Sequence, residues 1–158
     1  MKTIVVGYDG TRPAERALRR AAELARAFGA EVIVVSVAPP QPPELLGGAG
    51  AFGLYSYYAF PGEQLSPPVE RDEDLWRQHR EQVEAVFAEV GVRVDFAGIA
   101  GDPADELIEA ADQRQADLIV VGTREPGLVE RLLGGSVSQA VARRAHCDVL
   151  IVHPGDAG

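Results

Sequence analysis

A chain of 158 residues with 46% hydrophobic and 25% charged side chains has the composition of one folded domain, which excludes wholesale disorder. Its 15 Lys+Arg against 24 Asp+Glu leave a formal charge of −9, the wrong sign for a nucleic-acid or anionic-membrane surface. Cys147 is the single cysteine, so an intrachain disulfide or a Cys-cluster metal site is excluded. No apolar run approaches the roughly 20 residues of a membrane span. Met1-Lys2-Thr3 leads straight into Ile4-Val5-Val6 without the pattern of a signal peptide. The expectation is a soluble, cytoplasmic, single-domain protein over 1–158.

Four β-branched runs without polar alternation read as buried parallel strands: Thr3–Tyr8, Val32–Val37, Leu118–Gly122 and Val149–Val152. Val92–Ala97 alternates, which places it at a sheet edge with one face toward water. Helical spacing links Ala14, Ala17, Leu18, Ala21, Ala25 and Phe28, with Thr11 as N-cap and Gly29 just past the end. A charged helix from about Val69 to Val90 carries Leu75, Val83, Val86, Phe87 and Val90, and stops at Gly91. Pro103 opens a shorter helix with Leu107, Ile108 and Ala111. The last helix runs from Gly135 to Ala145 with Val137, Ala140 and Val141 inward. Strands alternating with helices give an α/β sandwich on a parallel sheet.

Residues 38–68 stand apart, with seven of the 11 prolines, five glycines, and Phe52, Tyr55, Tyr57, Tyr58 and Phe60. Such a segment is either a mobile insertion or a lid or surface for docking a protein partner. Asp117–Val121 and Asp148–Val152 echo one another as strand chemistry, not as a repeat.

In doubly wound sheets ligands sit beyond the carboxyl ends of the strands, where the winding reverses. Gly7-Tyr8-Asp9-Gly10-Thr11 follows the first strand, and Gly122-Thr123-Arg124-Glu125-Pro126-Gly127 follows the fourth. Glycine there suits close approach of a ligand. The second turn leads to Gly135-Ser136-Val137, a helix opening that suits an anion. Each residue also has an ordinary structural role. Ser136 serves as an N-cap, Asp9 supports a turn, Gly122 ends a strand, and Arg124 and Arg131 are solvated charges. Cys147 reads as packing. His146 and His153 lack metal-ligand partners, and His79, in a charged helix, reads as surface. No G-x-x-x-x-G-K-[ST] or strand-following G-x-G-x-x-G occurs, which removes the P-loop and dinucleotide-binding readings. His153-Pro154 stands where a phosphoacceptor receiver needs a lysine.

With Ile4-Val5-Val6-Gly7-Tyr8-Asp9-Gly10-Thr11 at the start and the tract from Asp117 to His153, the chain resembles the universal stress protein family. Gly122, Gly135 and Ser136 fall on that family's nucleotide motif G-x2-G-x9-G-[ST], preceded by Arg131-Leu132-Leu133, while Glu125 replaces the second glycine. The resemblance implies a five-stranded parallel sheet of order 3-2-1-4-5 with helices on both faces, the adenine nucleotide alpha hydrolase-like fold. It implies ATP as ligand; a Mg²⁺ ion shared with the phosphates would offset their charge against the acidic chain, and AMP or a cyclic nucleotide stays open as the preferred ligand. Carried over by position, Asp9 contacts the nucleoside, with Gly7, Tyr8, Val37 and Ala38 lining it. Val121 and Gly122 approach the ribose and phosphates, and Arg124, Gly135, Ser136 and Val137 hold the phosphate chain. No general base or nucleophile accompanies these residues. This favours a nucleotide-sensing stress-response protein over an enzyme, although weak ATP hydrolysis remains compatible. A nucleotide-free dimeric interaction module of the same family is the alternative. An adenylylating enzyme would need an S-G-G-x-D-S-like loop where Tyr8–Pro13 stands. The apolar run 149–152 falls at an edge in that strand order, so a homodimer through this strand is expected.

Overall fold

A computed structural model of the chain describes residues 1–38, 68–123 and 137–154. In chain order the elements are β1 (Thr3–Gly7), α1 (Arg12–Phe28), β2 (Glu31–Ala38), α2 (Pro68–Val90), β3 (Val94–Ala100), α3 (Pro103–Gln113), β4 (Leu118–Gly122), α4 (Val137–Arg144) and β5 (Asp148–Val152). The strands form one parallel sheet of order β3-β2-β1-β4-β5. That is the expected 3-2-1-4-5 arrangement. Among the described residues, no helix is long and apolar enough to cross a membrane.

The alternation of side chains along a strand explains why the central strands are apolar throughout. Ile4 and Val6 of β1, Val32 and Val34 of β2, and Leu118 and Val120 of β4 pack with Ala17, Leu18 and Ala21 of α1 and with Val83 and Phe87 of α2. The intervening Val5, Ile33, Val35, Ile119 and Val121 pack with Ala104, Leu107 and Ala111 of α3 and Val141 of α4. Each face thus has its own core.

Local signals set the element ends. The Thr11 hydroxyl accepts from the Ala14 N–H at 3.4 Å to cap α1, and Gly29 closes the helix in the left-handed region with its N–H donating to the Ala25 carbonyl. Asp102 caps α3, accepting from the N–H groups of Ala104 and Asp105 at 3.0 and 3.1 Å, with Pro103 as first helical residue.

Several inward placements differ from the sequence pattern. Phe28 is 59% exposed, because it is the last residue of α1 and the chain turns away at Gly29. Leu75 is exposed, and its neighbour Trp76 packs instead against Gly98 of β3. Val137 is 41% exposed, while Ser138 and Val141 are the buried residues of α4. The covered face of α4 is therefore set by Ser138 and Val141, three residues apart, and Val137 lies off it. The predicted Val92–Ala97 strand is displaced to Val94–Ala100. It is the edge strand, but both of its faces are half-covered rather than one dry and one wet. Its coverings include the Arg80 guanidinium, 5.3 Å from the centre of the Phe96 ring.

Candidate functional site

β1 has β2 on one side and β4 on the other, so the winding of the sheet reverses between β1 and β4. Pairing of Val6 with Val120 and of Gly7 with Val35 brings the carboxyl ends of β1, β2 and β4 to a common rim. The Tyr8 N–H donates to the Val35 carbonyl and prolongs that ladder by one residue (3.0 Å). Tyr8, Ala38 and Val121 are buried at this rim, Gly7, Val37 and Gly122 are half-buried, and Asp9 is exposed. The structure therefore brings Gly7, Tyr8, Asp9, Val37, Ala38, Val121 and Gly122 together at the switch point. Val137 opens α4 with an exposed side chain. Arg124, Gly135 and Ser136, with Glu125 and Arg131, lie outside the described residues, as does 39–67 of the predicted docking segment.

Asp9 organises its own turn. Its Oδ1 accepts from the Thr11 N–H at 3.0 Å and from the Thr11 hydroxyl, an Asx turn that leads into the α1 cap. The turn role does not exhaust this side chain, since a carboxylate has two oxygens with several lone-pair directions.

The glycines of this rim meet protein rather than open space. A Cβ on Gly7 would lie 2.9 Å from a methyl of Leu107, and one on Gly122 would overlap the Pro13 carbonyl. Gly10 has φ +76°, and a Cβ there would lie 2.7 Å from His79 Nε2. Close packing against α1, α2 and α3 therefore accounts for glycine at all three positions.

His79 corrects the sequence reading most clearly. It is 5% exposed, not a surface residue. Its Nδ1 lies 2.7 Å from the Oγ of Ser36, itself 1% exposed, and its ring meets Tyr8 edge-on with centroids 5.2 Å apart. The Tyr8 hydroxyl in turn donates to Gln82 Oε1 at 2.9 Å. Desolvation lowers the His79 pKa, opposed by the negative charge of Asp9. Burial pushes the Tyr8 phenol up, reinforced by Glu15 and Asp9. The signals that could have marked Ser36 and His79 as buried are one polar serine inside a valine run and the helical stripe Trp76, His79, Val83, Phe87; Gln82 lies off that stripe.

Elsewhere, burial raises the Cys147 pKa, with Asp112 and Asp148 adding to it, which is the environment of a packing thiol. Among the described residues no group of three His, Cys, Asp or Glu side chains converges as a metal site.

The universal stress protein family model matches residues 1–153. A universal stress protein of Thermus aquaticus is 37% identical over 151 residues, covering 96% of this chain and 98% of its own. A crystal structure of a universal stress protein in complex with cAMP has a TM-score of 0.65 and 32% identity, covering 96% of both chains. The Archaeoglobus fulgidus universal stress protein in complex with dAMP has the same fold, with a TM-score of 0.61 and 23% identity over 96% of both chains.

Proposed function

The chain belongs to the universal stress protein family, and from that premise we propose that it is an adenine-nucleotide-binding stress-response protein without efficient catalysis. The observation that carries this reading is the exposed Asp9 carboxylate just past β1 at the switch point, on the rim where β2 and β4 end with half-buried Val37 and Gly122 among their last residues. A carboxylate accepts from paired ribose hydroxyls, and the apolar strand ends offer a surface for a base. The residues present fit a nucleoside. The relative in complex with cAMP, at 32% identity, supports the same reading.

Within that function ATP is the proposed ligand, AMP or a cyclic nucleotide are its competitors, and Mg²⁺ would offset the charge of the phosphates. Arg124, Gly135, Ser136 and Val137 take the phosphates, and Glu125 opposes them by charge. Two like charges about 8 Å apart at an effective dielectric near 20 repel by roughly 2 kcal/mol, which salt screening reduces. The protein acts in the cytoplasm, and segment 38–68 docks a protein partner.

We further propose a homodimer through β5. Val149, Leu150, Ile151 and Val152 are each half-buried on an edge strand, and an apolar edge is best covered by a second strand. Light scattering at micromolar concentration should give twice the chain mass; one chain mass refutes the dimer.

Mass spectrometry of small molecules released on denaturing the purified protein tests the ligand. Adenine nucleotide in the released fraction supports the proposal. Only other metabolites, in a preparation that also fails to take up added ATP, AMP or cAMP, would reject it in favour of a nucleotide-free interaction module.

A further inference from the structure

His79 links the middle of α2 to the turn that carries Asp9. One ring nitrogen, Nδ1, faces β2 through the buried Ser36 hydroxyl at 2.7 Å. The other, Nε2, faces Gly10, where a Cβ would approach within 2.7 Å. Gly10 lies between Asp9 and Thr11, whose side chains are joined to each other and to the start of α1. Displacement of the imidazole is therefore felt at Asp9.

We propose that His79 is a positioning residue for the Asp9–Thr11 turn, and that a second proton on its ring weakens nucleoside binding at that turn. The inference rests on the nucleotide-binding reading given above.

The neutral ring has one donor and one acceptor, and the Ser36 hydroxyl satisfies Nδ1 in either tautomer. The cation has two donors, and its Nε2–H is directed at a glycine turn in a desolvated pocket. Asp9 is the charged group that acts on the ring from the β1–α1 turn. β1 presents the Tyr8 phenol and β2 the uncharged Ser36. From α1, Glu15 acts on that phenol. On α2 the neighbours one turn away are Leu75, Trp76, Gln82 and Val83, none of them ionisable. A charged ring thus attracts one carboxylate, the one the ribose requires, and the two compete for it.

The bound state disfavours the imidazolium, so it holds fewer protons than the free state. Affinity therefore rises with pH through the His79 titration, which burial moves below the ordinary histidine range, and levels off above it. One proton allows at most tenfold per pH unit.

The test titrates cAMP, whose phosphodiester keeps one fixed charge over the range, into the full chain from pH 5.0 to 7.5. Wild type is expected to bind about three- to tenfold more weakly at the acid end, and His79→Gln to bind with little pH dependence. An equal slope in both proteins overturns the proposal. Should the variant fail to fold, NMR of labelled histidine in wild type provides the second reading. Added cAMP should lower the His79 pKa, and an unmoved pKa overturns the linkage. Should cAMP bind at no pH, the nucleotide reading fails and the binding half of the inference with it. The positioning half is then read from the amide resonances of Gly10 and Thr11, which should follow the His79 titration; amides that ignore it overturn that half too.

Discussion

The carbonyl of Pro13, in the first turn of α1, lies against Gly122 where a side chain would begin. The glycine that opens the family's nucleotide motif is thus required by the packing of α1 on β4 before any ligand is considered. Gly122→Ala should lower stability by about 1–3 kcal/mol, as overpacking against backbone does. The loss is expected without nucleotide. A urea midpoint equal to that of wild type contradicts this.

Gly10 carries two penalties that separate experimentally. Its φ of +76° disfavours any side chain, and the His79 ring occupies the space a Cβ would enter. Gly10→Ala should cost more than the roughly 1–2 kcal/mol of a left-handed alanine. In a double-mutant cycle, His79→Ala should remove the steric part and leave the backbone part. Strict additivity of the two changes would show that ring and turn are not in contact.

Trp76 is the only tryptophan, and its indole lies over Gly98 on the edge strand β3. Gly98→Ala should push the ring outward, lower stability by about 1–3 kcal/mol and shift the fluorescence to the red. An unchanged emission spectrum contradicts this placement.

At the opposite end of the sheet, Asp117 Oδ2 accepts from the N–H groups of Lys2 and Thr3 at 2.6 and 3.0 Å, tying the start of β1 to the start of β4. These bonds, the Lys2 contact first, hold its carboxyl below the ordinary aspartate value. A carboxyl with a depressed folded pKa contributes stability that is complete above its unfolded pKa and is lost as pH falls through the folded one. Asp117→Asn should therefore flatten the stability profile below about pH 4. Parallel acid-unfolding curves for the two proteins contradict the assignment.

The sheet was legible because four of its strands are uniform β-branched runs, two of them closed by Gly7 and Gly122. β3, with its mixed sequence, lies two to three residues later than its pattern predicts. The caps Thr11 and Gly29 follow local hydrogen-bonding rules visible in a few residues, and the same rules account for Asp102, which the structure adds ahead of Pro103. Tertiary placement was less legible. His79 sits in a charged sequence, and its burial depends on Ser36, 43 residues away in the chain. Val137 and Phe28 satisfy helical periodicity, yet periodicity does not say where the covered face ends. The glycines of the rim were read as room for a ligand, whereas Leu107, Pro13 and His79 fill that room. Asp9 was legible from its position just past a buried strand.

The switch point beside Asp9 is proposed to bind an adenine nucleotide. Calorimetric titration of ATP, AMP and cAMP into wild type and Asp9→Asn at pH 7.5 tests it most directly. Asparagine keeps an acceptor for the Thr11 turn while removing the charge proposed to hold ribose hydroxyls. Saturable binding of at least one of the three, weakened about tenfold in Asp9→Asn with an unchanged circular dichroism spectrum, is the predicted result, worth about 1.4 kcal/mol. No saturable heat from any of the three, or equal affinity in the two proteins, would contradict it.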